Sequence, residues 1–130
     1  MQKGVNALQF KPEGFPRSVR IRKTSEYNAL YTGKRVSGSM FIIYYKHMGT
    51  HSKAGITVSK KVSKSAVERN KLKRRLREIY RLNKNILPDG ISVIIRVLPK
   101  AAGADFDEIK REVLSLFTLI ASKNHSNSVD

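Results

Sequence analysis

AGITVSKKVSKSAVERNKLKRRLREIYRLN, residues 54–83, contains a strand pattern followed by a long helix pattern. Residues 54–60 are rich in β-branched side chains, which predicts a strand. Residues 65–83 place their apolar side chains on one side when each residue turns the helix by about 100°. Those apolar side chains are Leu72, Leu76, Ile79 and Tyr80. The segment therefore predicts a strand, a short basic connection and an amphipathic helix.

Upstream, residues 40–46 (MFIIYYK) show a second strand pattern, and the polar, glycine-containing segment HMGTHS follows them. This spacing predicts a β-hairpin with a longer loop that pairs residues 40–46 with residues 54–60. Residues 35–37 are a candidate for one further short strand. A short helix is predicted before them, with Thr24 or Ser25 as its N-cap and Gly33 as its terminator.

Downstream, a turn at residues 88–90 precedes ISVIIRVL, residues 91–98, which is apolar enough for a central strand covered on both faces. Asp105 and Glu108 predict a capping box at the start of the last helix. The buried stripe of that helix is predicted to be Phe106, Ile109, Val113, Leu116, Phe117 and Ile120. The predicted order is α-β-β-β-α-β-α. We expect one domain over residues 17–121, between a flexible arm (1–16) and a polar, frayed tail (122–130).

Composition limits the classes of function. The 130 residues include 26 Lys and Arg against 10 Asp and Glu, a formal charge of +16, which indicates a polyanionic partner. No stretch approaches the roughly 20 apolar residues of a membrane span. The absence of Cys excludes disulfides and thiolate zinc sites, and with only three His the usual constellations for protein-borne catalysis are missing. We expect a cytoplasmic protein without a membrane partner.

The basic residues concentrate in the predicted long helix and in the loop before it. Residues 60–84 hold eleven Lys or Arg and only two acidic residues. A charged surface that merely faces solvent usually mixes both signs at i,i+4, so phosphate binding is the better interpretation. In the loop, backbone N–H groups and lysines can bind phosphates together. The RNA-binding candidates are Lys60, Lys61, Lys64, Arg69, Asn70, Lys71, Lys73, Arg74, Arg77 and Arg81.

A second candidate site lies on the predicted sheet. Alternation places Ile42 and Tyr44 on one face of their strand, and Thr57 and Ser59 on one face of the next. This semi-polar face suits an unpaired nucleic acid strand, and the first helix could wall it with Tyr27 and Tyr31. Periodicity alone leaves the alternative open that these tyrosines are core residues with their hydroxyls at the edge.

The loop and helix resemble the signature of the bacterial ribonuclease P protein: a strand ending V-S-K-K, a short loop, then A-V-x-R-N-x-x-K-R-x-x-R-E. The matching residues are Val58-Ser59-Lys60-Lys61 and Ala66-Val67-Glu68-Arg69-Asn70-Lys71-Leu72-Lys73-Arg74-Arg75-Leu76-Arg77-Glu78. The resemblance covers roughly residues 15–120. Lys71 departs from it, because a second arginine is more usual there and lysine lacks its bidentate geometry. The loop before the helix also looks one residue longer than usual.

The resemblance implies a two-layer α/β sandwich, the ribosomal protein S5 domain 2-like fold, with a left-handed β-α-β crossover. It implies a protein subunit of ribonuclease P that binds the catalytic RNA and precursor tRNA, without an obligate protein partner. The RNA would hold most of the Mg²⁺ that hydrolyses the phosphodiester, with Asn70 as a candidate contributor from the protein. The leader cleft would then comprise Tyr27, Tyr31, Ile42, Tyr44, Thr57 and Ser59. The alternative is a ribosomal or ribosome-assembly protein without processing activity.

Overall fold

The computed structural model describes residues 20–21, 24–49 and 52–129, and of residues 124–129 only the backbone. In this part of the chain the elements follow the predicted order. They are α1 (Thr24–Tyr31), β1 (Lys34–Ser37), β2 (Phe41–His47), β3 (Ala54–Thr57), α2 (Ala66–Asn83), β4 (Ile91–Val97) and α3 (Phe106–Val129). Short 3-10 turns at Lys84–Ile86 and Pro99–Ala101 flank β4. The predicted arm at residues 1–16 lies outside the described residues.

The sheet order is β1-β2-β4-β3, so the predicted hairpin between residues 40–46 and 54–60 is wrong. β4 lies between β2 and β3, antiparallel to the first and parallel to the second. Six of the seven residues of β4 are buried, which fits a central strand whose two faces are covered by helices and whose two edges are paired. The hairpin partner of β2 is instead the short strand β1. The α2 crossover joins the parallel pair β3 and β4 in a β-α-β unit.

The two faces of the sheet carry different layers. On one face, Phe41, Ile43 and Tyr45 of β2 belong to the main core, which also includes apolar side chains of α2 and α3. On the other face, Leu30 of α1 packs with Ile94 of β4 in a smaller cluster. The alternation predicted for β2 is thus confirmed, and so is the α/β sandwich. In the described part of the chain, α2 and α3 cover one face of the sheet, and α1 lies with Ile21 on the other.

Capping bonds define the starts of α2 and α3. The helix α1 begins at Thr24 itself, so the predicted N-cap, Thr24 or Ser25, lies inside the helix. The Ser65 hydroxyl accepts a hydrogen bond from the Glu68 backbone N–H (3.2 Å) at the start of α2. At the start of α3, the Glu108 N–H donates to Asp105 Oδ1 (2.8 Å), and the Asp105 N–H donates to Glu108 Oε1 (3.2 Å). The backbone of α3 continues to Val129, through the segment expected to fray.

The buried stripe of α3 contains one wrong prediction. Phe106 is 38% exposed, whereas Ile109, Val113, Phe117 and Ile120 are fully buried. Phe106 is the first residue of the helix and lies at the rim of the core, where its ring faces the Arg75 guanidinium at 6.0 Å. The helical period correctly places Phe106 on the core side of α3. The ring is exposed because the core does not extend to the first residue of the helix.

The Glu112 carboxylate of α3 holds the turn that joins β1 to β2. It accepts hydrogen bonds from the backbone N–H groups of Met40 (2.7 Å) and Phe41 (2.9 Å) and from the Ser39 hydroxyl (2.8 Å). Because a buried backbone N–H without a partner is destabilising, this carboxylate stabilises the turn and ties the sheet edge to α3. No helix in the described ranges is long and apolar enough to cross a membrane.

Candidate nucleic-acid interface

The basic face of α2 is separate from its core face. Leu72, Leu76, Ile79 and Tyr80 are buried as predicted. Asn70 and Arg74 are exposed on the adjoining side, and Lys73, Arg77 and Arg81 are half-buried there. The structure therefore brings these five together on one side of the helix. Arg81 also forms an ion pair with Glu78 (Nη2 to Oε2, 2.7 Å), one turn away on the same helix.

Lys71 does not share that side of α2. It lines a cavity of about 190 Å³ together with Arg75 and the backbone of residues 101–104. Successive residues of a helix are separated by about 100°, so residue 71 turns away from residue 70. The signature Arg69-Asn70-Lys71 consequently presents its three side chains in three different directions.

Arg69 connects α2 to the loop before it. Its Nη1 donates a hydrogen bond to the Ser63 carbonyl oxygen (2.9 Å), and the guanidinium is half-buried. Val62 is buried, and its N–H donates to the Ser59 carbonyl (3.0 Å), which closes the turn. Lys60, Lys61 and Lys64 remain exposed on this anchored loop. The loop therefore presents its lysines from a defined backbone.

Ser59 lies in this turn and not in the strand. β3 ends at Thr57, two residues short of the position that alternation assigned to Ser59. The Ser59 hydroxyl accepts a hydrogen bond from the Lys61 N–H (3.3 Å), and the Ser59 carbonyl accepts one from the Val62 N–H, so both oxygens bond within the turn. The expected strand alternation over residues 54–60 thus holds only through Thr57, and Ser59 belongs to the basic loop.

Three tyrosines gather where α1 crosses the sheet. The rings of Tyr31 and Tyr44 meet edge to face with centroids 4.8 Å apart, and the rings of Tyr27 and Tyr31 lie 6.4 Å apart at 29°. Tyr27 and Tyr44 pack against the smaller cluster around Leu30, whereas Tyr31 is 41% exposed. Two of the rings are therefore part of a small core, and the third presents surface to solvent. That this face binds an unpaired nucleic acid strand stays a prediction.

Arg96 joins this face and was missed from the sequence. Both Ile42 of β2 and Thr57 of β3 pair with Arg96 across the sheet, so all three side chains share one face. Arg96 is the exposed residue of an otherwise buried strand. The available signal was a single cation inside ISVIIRVL, but placing it beside Ile42 and Thr57 requires the strand order. We define the tyrosine cleft as Tyr27, Tyr31, Ile42, Tyr44, Thr57 and Arg96.

The basic face of α2 meets the tyrosine cleft at Arg77. Burial lowers the pKa of the Arg77 guanidinium, the positive charge of Arg20 lowers it further, and Tyr27 opposes the shift. Burial likewise raises the pKa of Tyr27, with Tyr31 acting in the same direction and Arg77 against it. Arg20 is exposed and Arg77 is half-buried, so two positive charges lie near each other beside Tyr27.

Two backbone features place Arg20 and Tyr27 at this junction. Residue 20 forms a parallel bridge to Ala54, and the Ile21 N–H donates to the Ala54 carbonyl (3.1 Å), so this segment runs beside β3. A Cβ atom on Gly55 would lie 2.8 Å from the Tyr27 hydroxyl, so glycine is needed for this close approach. Arg20 is a second residue that sequence reasoning missed, although it belongs to a visible basic run.

The metal prediction rests on Asn70 alone. Within the described residues, no three His, Cys, Asp or Glu side chains come together as metal ligands. The exposed Asn70 offers one neutral oxygen, which suits Mg²⁺ as a ligand type. Mg²⁺ bound there would take its remaining ligands from water or from phosphate oxygens of a bound nucleic acid.

Comparisons with known proteins agree on one family. The family model described as Ribonuclease P matches residues 15–121. The ribonuclease P protein component of Synechocystis is 33% identical over 118 residues, covering 88% of this chain and 95% of that protein. That of Caldanaerobacter subterraneus is 37% identical over 100 residues, covering 75% and 85%.

Solved structures give the same result for the fold. The ribonuclease P protein from Thermotoga maritima superposes with a TM-score of 0.71 at 30% identity and covers 78% of this chain and 96% of its own. The protein from Staphylococcus aureus gives 0.72 at 27% identity, covering 78% and 94%. These similarities do not support the alternative interpretation, a ribosomal or ribosome-assembly protein.

Proposed function

The chain belongs to the ribonuclease P protein family, and from this premise we propose that it binds the ribonuclease P RNA and the 5′ leader of precursor tRNA on two adjoining surfaces. The observation that carries the proposal is that one domain combines a basic side of α2 with a cleft in which the exposed Tyr31 ring packs against Tyr44. One small domain can thereby hold the RNA subunit and the substrate side by side.

The RNA subunit binds the basic face of α2 and the loop before it. Asn70, Lys73, Arg74 and Arg77 lie on one side of the helix, and the loop lysines continue the positive surface. Each phosphate that these side chains neutralise releases condensed counterions, so affinity should fall steeply with salt. Arg69 contributes indirectly as well, because its bond to Ser63 positions the loop.

The leader binds the tyrosine cleft as a single strand. Tyr31 presents an exposed ring on which an unpaired base can stack, and the Tyr44 ring packs against it edge to face. Arg96 and the pair formed by Arg20 and Arg77 lie where phosphates of such a strand can be neutralised. Paired nucleic acid would not fit this mode, since its bases are already stacked.

The protein binds and positions, and the phosphodiester is hydrolysed by chemistry that resides in the RNA subunit. Mg²⁺ supplies an activated water and stabilises charge on the departing oxygen when bound there. In the described part of the chain, Asn70 is the side chain suited to complete such a site, as one ligand beside RNA phosphates. The proposed location is the cytoplasm, where precursor tRNA is available.

Reconstitution tests this proposal. Purified protein, RNA subunit and both together are incubated with precursor tRNA at limiting Mg²⁺, and the 5′ end of the product is mapped. We expect cleavage at the mature 5′ end from the reconstituted complex and none from the protein alone. Site-specific cleavage by protein free of RNA, or no effect of the protein on the RNA subunit, would contradict the proposal.

A further inference from the structure

An ion pair attaches the first turn of α1 to the sheet. Lys53 Nζ lies 2.7 Å from Glu26 Oε2, and the two side chains are 36% and 20% exposed. The Lys53 backbone is bonded to β4 twice, because its N–H donates to the Ser92 hydroxyl (3.0 Å) and its carbonyl accepts from the Val93 N–H (2.9 Å). Ser92 itself is buried. Glu26 therefore binds a lysine whose backbone is fixed on the central strand.

The ion pair lies on the same side of α1 as the buried residue of that helix. Residues four apart on a helix are neighbours on its surface, so Glu26 lies one turn before Leu30. Tyr27 and Tyr31 form a second such pair, turned from the first by about 100°. The first pair attaches α1 to the sheet, and the second pair lines the tyrosine cleft. A rotation of α1 about its axis would therefore move both tyrosine rings.

Two attachments at opposite ends of α1 oppose such a rotation. Leu30 packs with Ile94 near the end of the helix, and Glu26 binds Lys53 in its first turn. Ser92, which holds Lys53, lies two residues before Ile94 and thus on the same face of β4. A helix of eight residues is only marginally stable by itself, so its orientation depends on tertiary contacts of this kind.

The negative charge of Glu26 is unfavourable for direct contact with nucleic acid. A carboxylate near the tyrosine cleft repels a polyanion, so by its charge alone Glu26 would weaken binding of a nucleic acid strand. A role in orienting α1 has the opposite sign, because loss of Glu26 would then misplace the rings on which bases stack. The two roles can therefore be distinguished by the direction of a change in affinity.

We propose that Glu26 and Lys53 are positioning residues for the tyrosine cleft. Their ion pair fixes the rotation of α1 and thereby holds the exposed Tyr31 ring against Tyr44. The inference rests on the proposed function of the cleft and extends it. Neither charged residue contacts the leader in this arrangement, since both act through the orientation of Tyr31.

The test measures the affinity of the reconstituted ribonuclease P complex for precursor and mature tRNA in Glu26→Ala, Lys53→Met and the double variant. Each single variant should weaken precursor binding about two- to five-fold relative to mature tRNA, because a half-buried ion pair favours one arrangement by only a small amount. The double variant should lose no more than either single variant, since both changes break the same pair. Lys53→Arg keeps the positive charge and should bind both tRNAs as wild type does.

The orientation of the rings is measured directly on the free full-length protein. The nuclear Overhauser effect between the Tyr31 and Tyr44 rings should weaken in Glu26→Ala and Lys53→Met and remain unchanged in Lys53→Arg. Melting curves establish that each variant is folded at the assay temperature. The matched control is Asp107→Ala, which removes an exposed acidic residue from the first turn of α3, on the other face of the sheet. This control should change neither the ring contact nor the ratio of the two affinities.

Tyr31→Ala is measured in parallel, so that failure of the positioning role and failure of the cleft give different results. If Glu26→Ala binds precursor tRNA as tightly as wild type or more tightly, while Lys53→Met weakens it, Lys53 acts as a cation on the nucleic acid and positioning is refuted. Additive losses in the double variant would also refute it. If Tyr31→Ala weakens precursor and mature tRNA equally, the proposed function of the cleft is refuted and the positioning role with it.

Discussion

The variants Tyr31→Ala and Tyr44→Ala distinguish an effect on leader binding from an effect on the stability of the protein. Tyr31 is 41% exposed and contacts Tyr44 edge to face, while Tyr44 is half-buried against the cluster of Leu30 and Ile94. The two variants therefore remove the same aromatic pair but leave different gaps. Tyr31→Ala removes surface that is available to a base, and Tyr44→Ala also opens a cavity beneath α1.

The expected magnitudes follow from this difference. Stacking of one base on an aromatic ring contributes about 1 to 3 kcal/mol, so losing it weakens binding by a factor of about 5 to 150. The lost ring contact lowers the free energy of unfolding by about 0.5 to 1.5 kcal/mol in either variant. Tyr44→Ala should lose roughly 1 to 2 kcal/mol more, because a large buried side chain truncated to alanine leaves a cavity and this one is only partly buried.

The assay measures the affinity of the reconstituted complex for precursor and mature tRNA, with thermal unfolding of each protein as the stability control. Both variants should bind precursor tRNA more weakly and mature tRNA almost as wild type, because mature tRNA has no leader. Tyr31→Ala should do so with the smaller change in melting temperature. If either variant remains folded and loses the same affinity for precursor and mature tRNA, the tyrosines do not bind the leader. The proposed role of the tyrosine cleft is then refuted.

Three further predictions concern the basic helix, the sheet edge and alkaline pH. Arg74→Ala should leave stability within about 0.5 kcal/mol of wild type and reduce the salt slope of RNA binding by about 0.7 to 0.9, whereas Arg69→Ala should also lower stability by about 1.5 to 3 kcal/mol through its lost bond to Ser63. An unchanged salt slope in Arg74→Ala would place that side chain away from RNA. Glu112→Ala should destabilise the protein by about 1 to 3 kcal/mol, measured by urea unfolding, because the N–H groups of two residues lose their acceptor. A value near zero would mean that water replaces the carboxylate. Burial raises the pKa of Tyr80 above 10.0, so the folded state holds its proton longer than the unfolded state. The resulting stability is fully present below pH 10 and is lost as pH rises through the folded pKa, which melting curves of wild type and Tyr80→Phe should show as a shallower decline in the variant.

Short-range features were predictable because neighbouring residues decide them. The capping box of Asp105 and Glu108 and the alternation of Phe41, Ile43 and Tyr45 appear in the structure as predicted. Each depends on hydrogen bonds or side-chain directions within a few residues of the chain. The separation of a basic face from a core face on α2 was predictable for the same reason.

The strand order could not be read from the chain. Residues 40–46 and 54–60 look like a hairpin because they are close in sequence, but strand β4 enters between them after a helical crossover. The almost wholly apolar β4 is buried best in the centre of the sheet, where helices cover both of its faces. Secondary-structure propensity depends on neighbouring residues, so it does not predict which strands pair with each other.

The sequence alone determined the family, the basic face of α2 and the tyrosines that lie beside α1. Tertiary structure alone decided which residues meet. Arg96 reaches the cleft because β4 pairs with both β2 and β3, and Arg20 reaches Arg77 because its segment runs beside Ala54. The physical reason is that a helix face or strand face is set by a local period. The meeting of charges from distant segments is set instead by strand pairing, which depends on how the whole chain buries its apolar surface.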